Sequence, residues 1–163
     1  MGTLGASAKL SNIKRSLDVY LYEHAVLSSY AFDIGPPIPF SDASLAEWLQ
    51  PRLLEPARTA AYQQVSSTQR GEGWTLLVNV NIFVRPAAQT LAHRLQQIRD
   101  AVIAVFTENT RIEVRDYEGS NTLVGHLVVD QIQTDRHVND PARIDLEQWN
   151  IVVALRWIAD WTP

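Results

Sequence analysis

The sequence predicts an α+β fold: a mainly antiparallel β-sheet with two amphipathic helices packed on one face. Three observations lead there. In "WTLLVNVNIFVRP", Trp74, Leu76, Val78, Val80, Ile82 and Val84 alternate with Thr75, Leu77, Asn79, Asn81, Phe83 and Arg85. That is the period of a long strand with one fully apolar side. The stretch "EQWNIVVALRWIADWTP" repeats the alternation, with Trp149, Ile151, Val153, Leu155, Trp157, Ala159 and Trp161 at odd positions. Two other segments change to three- and four-residue spacing, the period of a helix.

The elements follow in order. Leu10, Ile13, Leu17, Tyr20, Leu21 and His24 mark a first helix reaching about Leu27, with Ser7 or Ser11 as cap. "FDIGPPIPFSDAS" then stops it, because three prolines and a glycine within six residues cannot continue a helix. The result is an extended proline-rich loop over about residues 33–44. Its apolar members Ile34, Ile38 and Phe40 either tuck onto the core or meet a partner. "LAEWLQPRLLEP" reads as a short edge strand or bent segment, since Pro51 and Pro56 cannot serve a central strand. "ARTAAYQQVSST" suits a mostly polar strand, and "QRGEG" a glycine turn into the long strand at Trp74. Pro86 ends that strand at the first turn of a second helix, whose stripe is Leu91, Leu95, Ile98, Val102, Val105 and Phe106. "TRIEVRDY", a turn at "EGSN" and "TLVGHLVVDQIQ" form a hairpin. "TDRHVNDPARID" is a polar loop leading to the tryptophan strand.

At 163 residues the chain is expected to form one domain, spanning 1–163, with a core that needs no staples. It is 46% hydrophobic and 20% charged, a globular balance. The absence of cysteine excludes disulfides, thiolate metal sites and cysteine nucleophiles together. No apolar h-region opens the chain and no run has the length of a membrane span, so a soluble protein is expected. Residues 1–99 hold nine Lys/Arg and seven Asp/Glu, net +2; residues 100–163 hold five and eleven, net −6. Such unevenness could favour head-to-tail self-association, or reflect chance alone. Neither part is basic enough for a nucleic-acid footprint.

No motif identifies an active site. His24, His93, His126 and His137 lack zinc-ligand spacing. In "TDRHVNDP", Asp135, His137, Asn139 and Asp140 could converge on a metal, but the stretch lacks the glycine and terminal glutamate of a calcium loop. A solvated loop is the default reading. Asp116 and Glu118 form a turn-proximal carboxylate pair, a setting in which acid–base tuning by burial is not expected. No nucleotide-binding or nucleophile-elbow pattern occurs. The residue chemistry thus identifies no active site, no cofactor site and no metal site.

Two helices can shelter one face of such a sheet. The other keeps Leu77 and Phe83 on one strand and Val152, Ala154 and Ile158 on another, which predicts that a partner covers it. The layout as a whole resembles the tail terminator (tail completion) proteins of long-tailed bacteriophages. The resemblance rests on the N-terminal helix, the "IGPPIPFSDAS" loop, the "QRGEGWTLLVNVNIFVRP" turn and strand, the helix "AAQTLAHRLQQIRDAVIAVF" and the final strand "WNIVVALRWIADW". It spans about Ser11 to Trp161 without a diagnostic motif, and residues 41–70 are more elaborate than the family's usual front half. It implies a virion structural protein of the tail or neck, without catalysis or cofactor, assembled in the host cytoplasm. Such a subunit forms a hexameric ring that caps the tail tube, ends its polymerisation and joins it to the head–tail connector. Ile34, Pro36, Pro37, Ile38, Phe40, Leu77, Phe83, Val152 and Ile158 are then candidates for subunit contact. Another neck, connector or baseplate subunit fits the same features. A small α+β ligand-binding domain or enzyme, with a pocket between helices and sheet, is the competing class.

Overall fold

A computed structural model describes residues 10–35, 44–54, 57–64, 70–86, 93–143 and 145–161, and for 57–64, 70–74 and 158–161 the backbone path alone. The fold class read from the sequence is the one found: α+β, with both helices against one face of a mostly antiparallel sheet. The elements are α1 (Leu10–Glu23), β1 (Ala31–Phe32), β2 (Glu47–Leu53), β3 (Ala57–Gln64), β4 (Arg70–Val84), α2 (Arg94–Val105), β5 (Arg111–Arg115), β6 (Leu123–Val138) and β7 (Glu147–Trp161). The strands lie in the order β1-β2-β4-β7-β6-β5, with β3 paired to β4 beyond the end of β2. Among the described strands β1 pairs with β2 in parallel and the other pairs are antiparallel.

The two alternating sequences pair with each other. Leu76 faces Leu155, Val78 faces Val153, Val80 faces Ile151 and Ile82 faces Trp149. This register stacks the apolar sides of β4 and β7 into one surface, and a slip of one residue would put the two apolar sides on opposite faces of the sheet. Onto it α1 brings Ile13, Leu17 and Leu21, and α2 brings Leu95, Ile98, Val102 and Val105, all buried. Each such side chain contributes about 1.5–3 kcal/mol relative to an exposed one, so the packed stripes outweigh any propensity term in placing the helices.

Several boundaries differ from the sequence reading. α1 ends at Glu23, and Leu27 is buried from the turn that follows. Ser11 lies inside the helix and donates to Glu118 Oε1 at 2.6 Å instead of capping it. α2 begins at Arg94 because His93 adopts a left-handed φ of 71°, which a helix cannot pass through. β1 is too short to carry a period. β6 runs on to Val138, so the first half of the stretch read as a polar loop is strand.

Pro51 sits inside a paired strand, and the ladder explains how. Leu54 N–H donates to Leu77 O, so even positions of β2 turn toward β4 and odd positions turn outward. Asp33 N–H donates to Leu49 O from the outer side, in agreement. Pro51 therefore lacks an N–H only where the outer edge would have offered one. At the opposite edge of the sheet α1 does the equivalent work with two buried polar residues. Ser16 Oγ accepts the Arg115 N–H at 3.0 Å, and Asn12 Oδ1 accepts the Tyr117 N–H at 3.1 Å. Both lie on the core side of an otherwise apolar helix face because an unpaired edge donor there would be costly.

Candidate functional site: the far face of the sheet

The face opposite the helices presents Trp48, Gln50 and Arg52 from β2, Leu77, Asn79, Asn81 and Phe83 from β4, and Gln148, Asn150, Val152 and Ala154 from β7. It is not the continuous apolar surface expected. At one end Phe83 is 2% exposed and stacks on Trp48, with ring centroids 5.0 Å apart and 24° between planes. Leu146, from the connection before β7, completes this second small core, with Ala31 and Leu45 at its margin. Phe83 is thus corrected from a contact residue to a core residue. The chain's own segments before β2 and β7 seal that end, and no sequence periodicity marks such connections as cover.

The centre of the face is a row of amides across three strands, anchored on a carboxylate. Asn150 Nδ2 and Gln148 Nε2 donate to Asn81 Oδ1 at 3.1 and 3.2 Å. Asn81 Nδ2 donates to Gln50 Oε1 at 3.3 Å, and Gln50 Nε2 donates to Asp33 Oδ2 at 2.6 Å. Arg52 donates to the same oxygen at 3.3 Å. Asp33 is 1% exposed and Asn81 is 9%. An ionised carboxylate can only accept, so Gln50 must turn its NH2 group toward Asp33, and each amide beyond it takes the same sense. Among the described residues Asp33 Oδ1 and the buried Asn79 Oδ1 have no hydrogen-bond partner. Sequence reasoning missed this row. Its signal was present, as Asn79-x-Asn81 and Gln148-x-Asn150 occupy matching parity on two alternating strands.

Past this row the face becomes apolar again. Leu77 and Val152 are half-buried and Ala154 is buried. Ile158 pairs across from Gly73 in the ladder, with only its backbone described. Ile34 is half-buried just after β1. Pro36, Pro37, Ile38 and Phe40 lie outside the described residues.

The strands also outrun the helices. At roughly 3.3 Å per residue the 15 residues of β4 and of β7 extend about 50 Å. The 14 residues of α1 and 12 of α2 span only about 21 and 18 Å. The surplus is a three-stranded arm in which Arg70–Thr75 of β4 joins β3 on one side and Arg156–Trp161 of β7 on the other. β3 packs on β4, and its outer edge has no strand partner among the described residues.

Asp135 and Asp140, two of the residues considered for a metal, are hydrogen-bonded elsewhere. Asp135 accepts from Arg99 through both oxygens, one bond being Nε to Oδ1 at 3.0 Å, and from Trp149 Nε1 at 2.6 Å. The Arg99 hydrogen bonds hold its carboxyl below the ordinary range, against a smaller opposing effect of burial. His137 lies beside the Trp149 ring, and Asp140 accepts the Ala142 N–H at 3.0 Å. Among the described residues no group of three metal-ligating side chains occurs. Asp116 and Glu118 accept from Asn12 and Ser11, tying the hairpin turn to α1. Among the described residues no helix is long and apolar enough to cross a membrane.

No family model and no curated protein matches the chain. Among solved structures, one whose name is only a sequence identifier matches with a TM-score of 0.54 at 11% identity. The match covers 96% of this chain and 99% of the other. At that identity the likeness concerns the fold.

Proposed function

We propose that this chain is a structural subunit that assembles with copies of itself into a ring, in the manner of a bacteriophage tail terminator. The ring caps the tail tube, stops its polymerisation and offers its other surface to the head–tail connector. The partners are sister subunits, the tube protein and the connector, and the role requires no catalysis. The observation that carries this reading is the three-stranded arm, whose outer edge on β3 has no strand partner among the described residues. A sheet extension whose outer edge lacks a strand partner among the described residues gains by covering that edge, and in a ring the neighbouring copy can do so. The resemblance in sequence layout supports the same reading. Leu77 and Val152, half-buried beside the amide row, supply a second apolar contact.

Light scattering on the purified protein tests it. Six copies of 18.3 kDa make a particle of about 110 kDa. The expected result is that mass, or a monomer that forms rings visible by electron microscopy when purified tail tubes are added. A monomer at every concentration that ignores tubes and gains thermal stability with a small metabolite overturns it in favour of a ligand-binding domain.

A further inference from the structure

We propose that the outer edge of β6 over Thr134–Val138 receives an extended segment of another protein, added as an antiparallel strand, with an aspartate or glutamate directly opposite Arg136. This goes beyond the ring reading and does not depend on it. The direction of each backbone group comes first. Leu77 O accepts from Leu54 and Arg85 N–H donates to Ala46, so odd residues of β4 turn toward β2 and even residues toward β7. Val78, Val80 and Ile82 face Val153, Ile151 and Trp149, so odd residues of β7 turn to β4 and even residues turn to β6. Thr134, Arg136 and Val138, across from Val152, Asn150 and Gln148, therefore point their backbone groups into the sheet. Asp135 and His137 point theirs out of it.

No strand among the described residues meets them there. β5 pairs residues 123–128 of β6, and Thr110 and Asn109 extend the ladder to Val129. Register shifts mark bulges between Val129 and Gln131 and between Ile132 and Thr134, after which the strand is regular to Val138. Elsewhere the protein blunts its edges: Pro51 removes an outward N–H from β2, and Ser16 accepts one from β5. A regular edge with outward N–H and C=O groups is a template for a further strand.

The side chains along this edge select the chemistry of that strand. On the helix side Asp135 already accepts from Arg99 and from Trp149 Nε1, and His137 lies beside the Trp149 ring. On the far face Arg136 stands across from Asn150, where the amide row ends. Arg136 is exposed, and its side chain has no hydrogen bond or ion pair among the described residues. Its neighbours on that face, Asn150, Thr134 and Val138, are uncharged, so a counter-charge comes from across the open edge. Opposite charges set directly across a ladder stabilise it. The positions facing Asp135 and His137 are neutral, because a second carboxylate beside Asp135 would be repelled. A second copy of β6 does not supply this pattern. With faces aligned, an antiparallel pair centred within Thr134–Val138 sets Ile132, Thr134, Arg136, Val138 or Asp140 opposite Arg136. Only Asp140 is acidic, and it lies past the end of β6 and accepts the Ala142 N–H within its own turn.

Fluorescence anisotropy with labelled peptides tests the proposal. The probes are TVTETVT, its glutamine and lysine counterparts TVTQTVT and TVTKTVT, and TVTETVT with both threonines beside the glutamate N-methylated. The glutamate peptide is expected to bind about three- to fivefold more tightly than the glutamine form, the range of an exposed ion pair. The lysine form is expected to bind more weakly than either, and N-methylation to abolish binding by removing the N–H groups that meet the edge. Arg136→Glu should reverse the order, so that the lysine peptide binds best; a merely structural role for Arg136 would weaken all forms alike. Failure of every peptide to bind at millimolar concentration overturns the proposal, as does equal binding of the glutamate and glutamine forms. Light scattering that shows copies pairing, with the pairing lost in Arg136→Glu, also overturns it and makes the occupant a second copy.

Discussion

Gly125 is the position where the packing makes its sharpest demand. An alanine there would place its Cβ 2.5 Å from Trp157 Cζ3 and closer still to Cη2, where real Cβ contacts lie beyond 3.0 Å. Trp157 is 1% exposed and lies across from Trp74 on one side and Leu127 on the other, so the ring has no solvent to retreat into. Among the described residues no glycine has a positive φ, so the penalty is steric and not conformational. Overpacking of this kind costs about 1–3 kcal/mol. For a chain of this size each kcal/mol moves Tm by roughly 2–4 °C, so Gly125→Ala should melt about 2–12 °C below wild type. Thermal unfolding followed by tryptophan fluorescence, at one fixed protein concentration, reads this. The reasoning is checked further by Trp157→Phe, whose ring lacks the clashing atoms: the double variant should recover at least about 1 kcal/mol relative to the sum of the singles. A Gly125→Ala protein as stable as wild type, or additivity in the double variant, would refute the close packing of Trp157 on Gly125.

Further outcomes follow from the same structure. Phe83→Asp should unfold the chain or lower its stability by at least about 3–5 kcal/mol, the cost of losing a buried phenylalanine. Val152→Asp, on the open part of the same face, should keep the melting temperature and impair ring formation; chemical denaturation and light scattering separate the two. Ser16→Ala leaves the Arg115 edge N–H without its acceptor and should cost about 1–2 kcal/mol in urea titration. Asp135 has a folded pKa held below its unfolded value by Arg99. Its ion pair therefore contributes at neutral pH and is lost as pH falls below about 4 through the folded value. Both partners are partly solvated, so the contribution is at most about 1 kcal/mol. Asp135→Asn should lie below wild type by that amount at pH 7, and the two stability curves should converge as pH falls below the ordinary carboxylate range.

How much of this was legible in the sequence depends on periodicity. β4, β7 and the α2 stripe carried an unbroken period over many residues, and the structure pairs them as that period demands. β1 has two residues and no period to read. Residues 134–138 were read as loop because Asp135, Arg136 and His137 are polar, yet an edge strand with one exposed side has no need of apolar residues there. The far face shows a different gap. Alternation marks Phe83 as belonging to that side of β4, but only the fold reveals that the connection carrying Leu146 returns to cover it. The amide row is likewise a property of three strands at once: Gln50, Asn81 and Asn150 are more than thirty residues apart in sequence and adjacent only in register.

The direction of that row has a consequence for how the surface is specified. Every amide orientation from Gln50 to Asn150 descends from one anion at its end, so the donor and acceptor pattern shown near β7 is set from beside β1. Replacing Asp33 with asparagine would change scarcely any volume, yet it would let the whole series run either way round. The surface would then hold two hydrogen-bonding patterns in place of one, and a partner selecting between them would bind more weakly without losing a single direct contact.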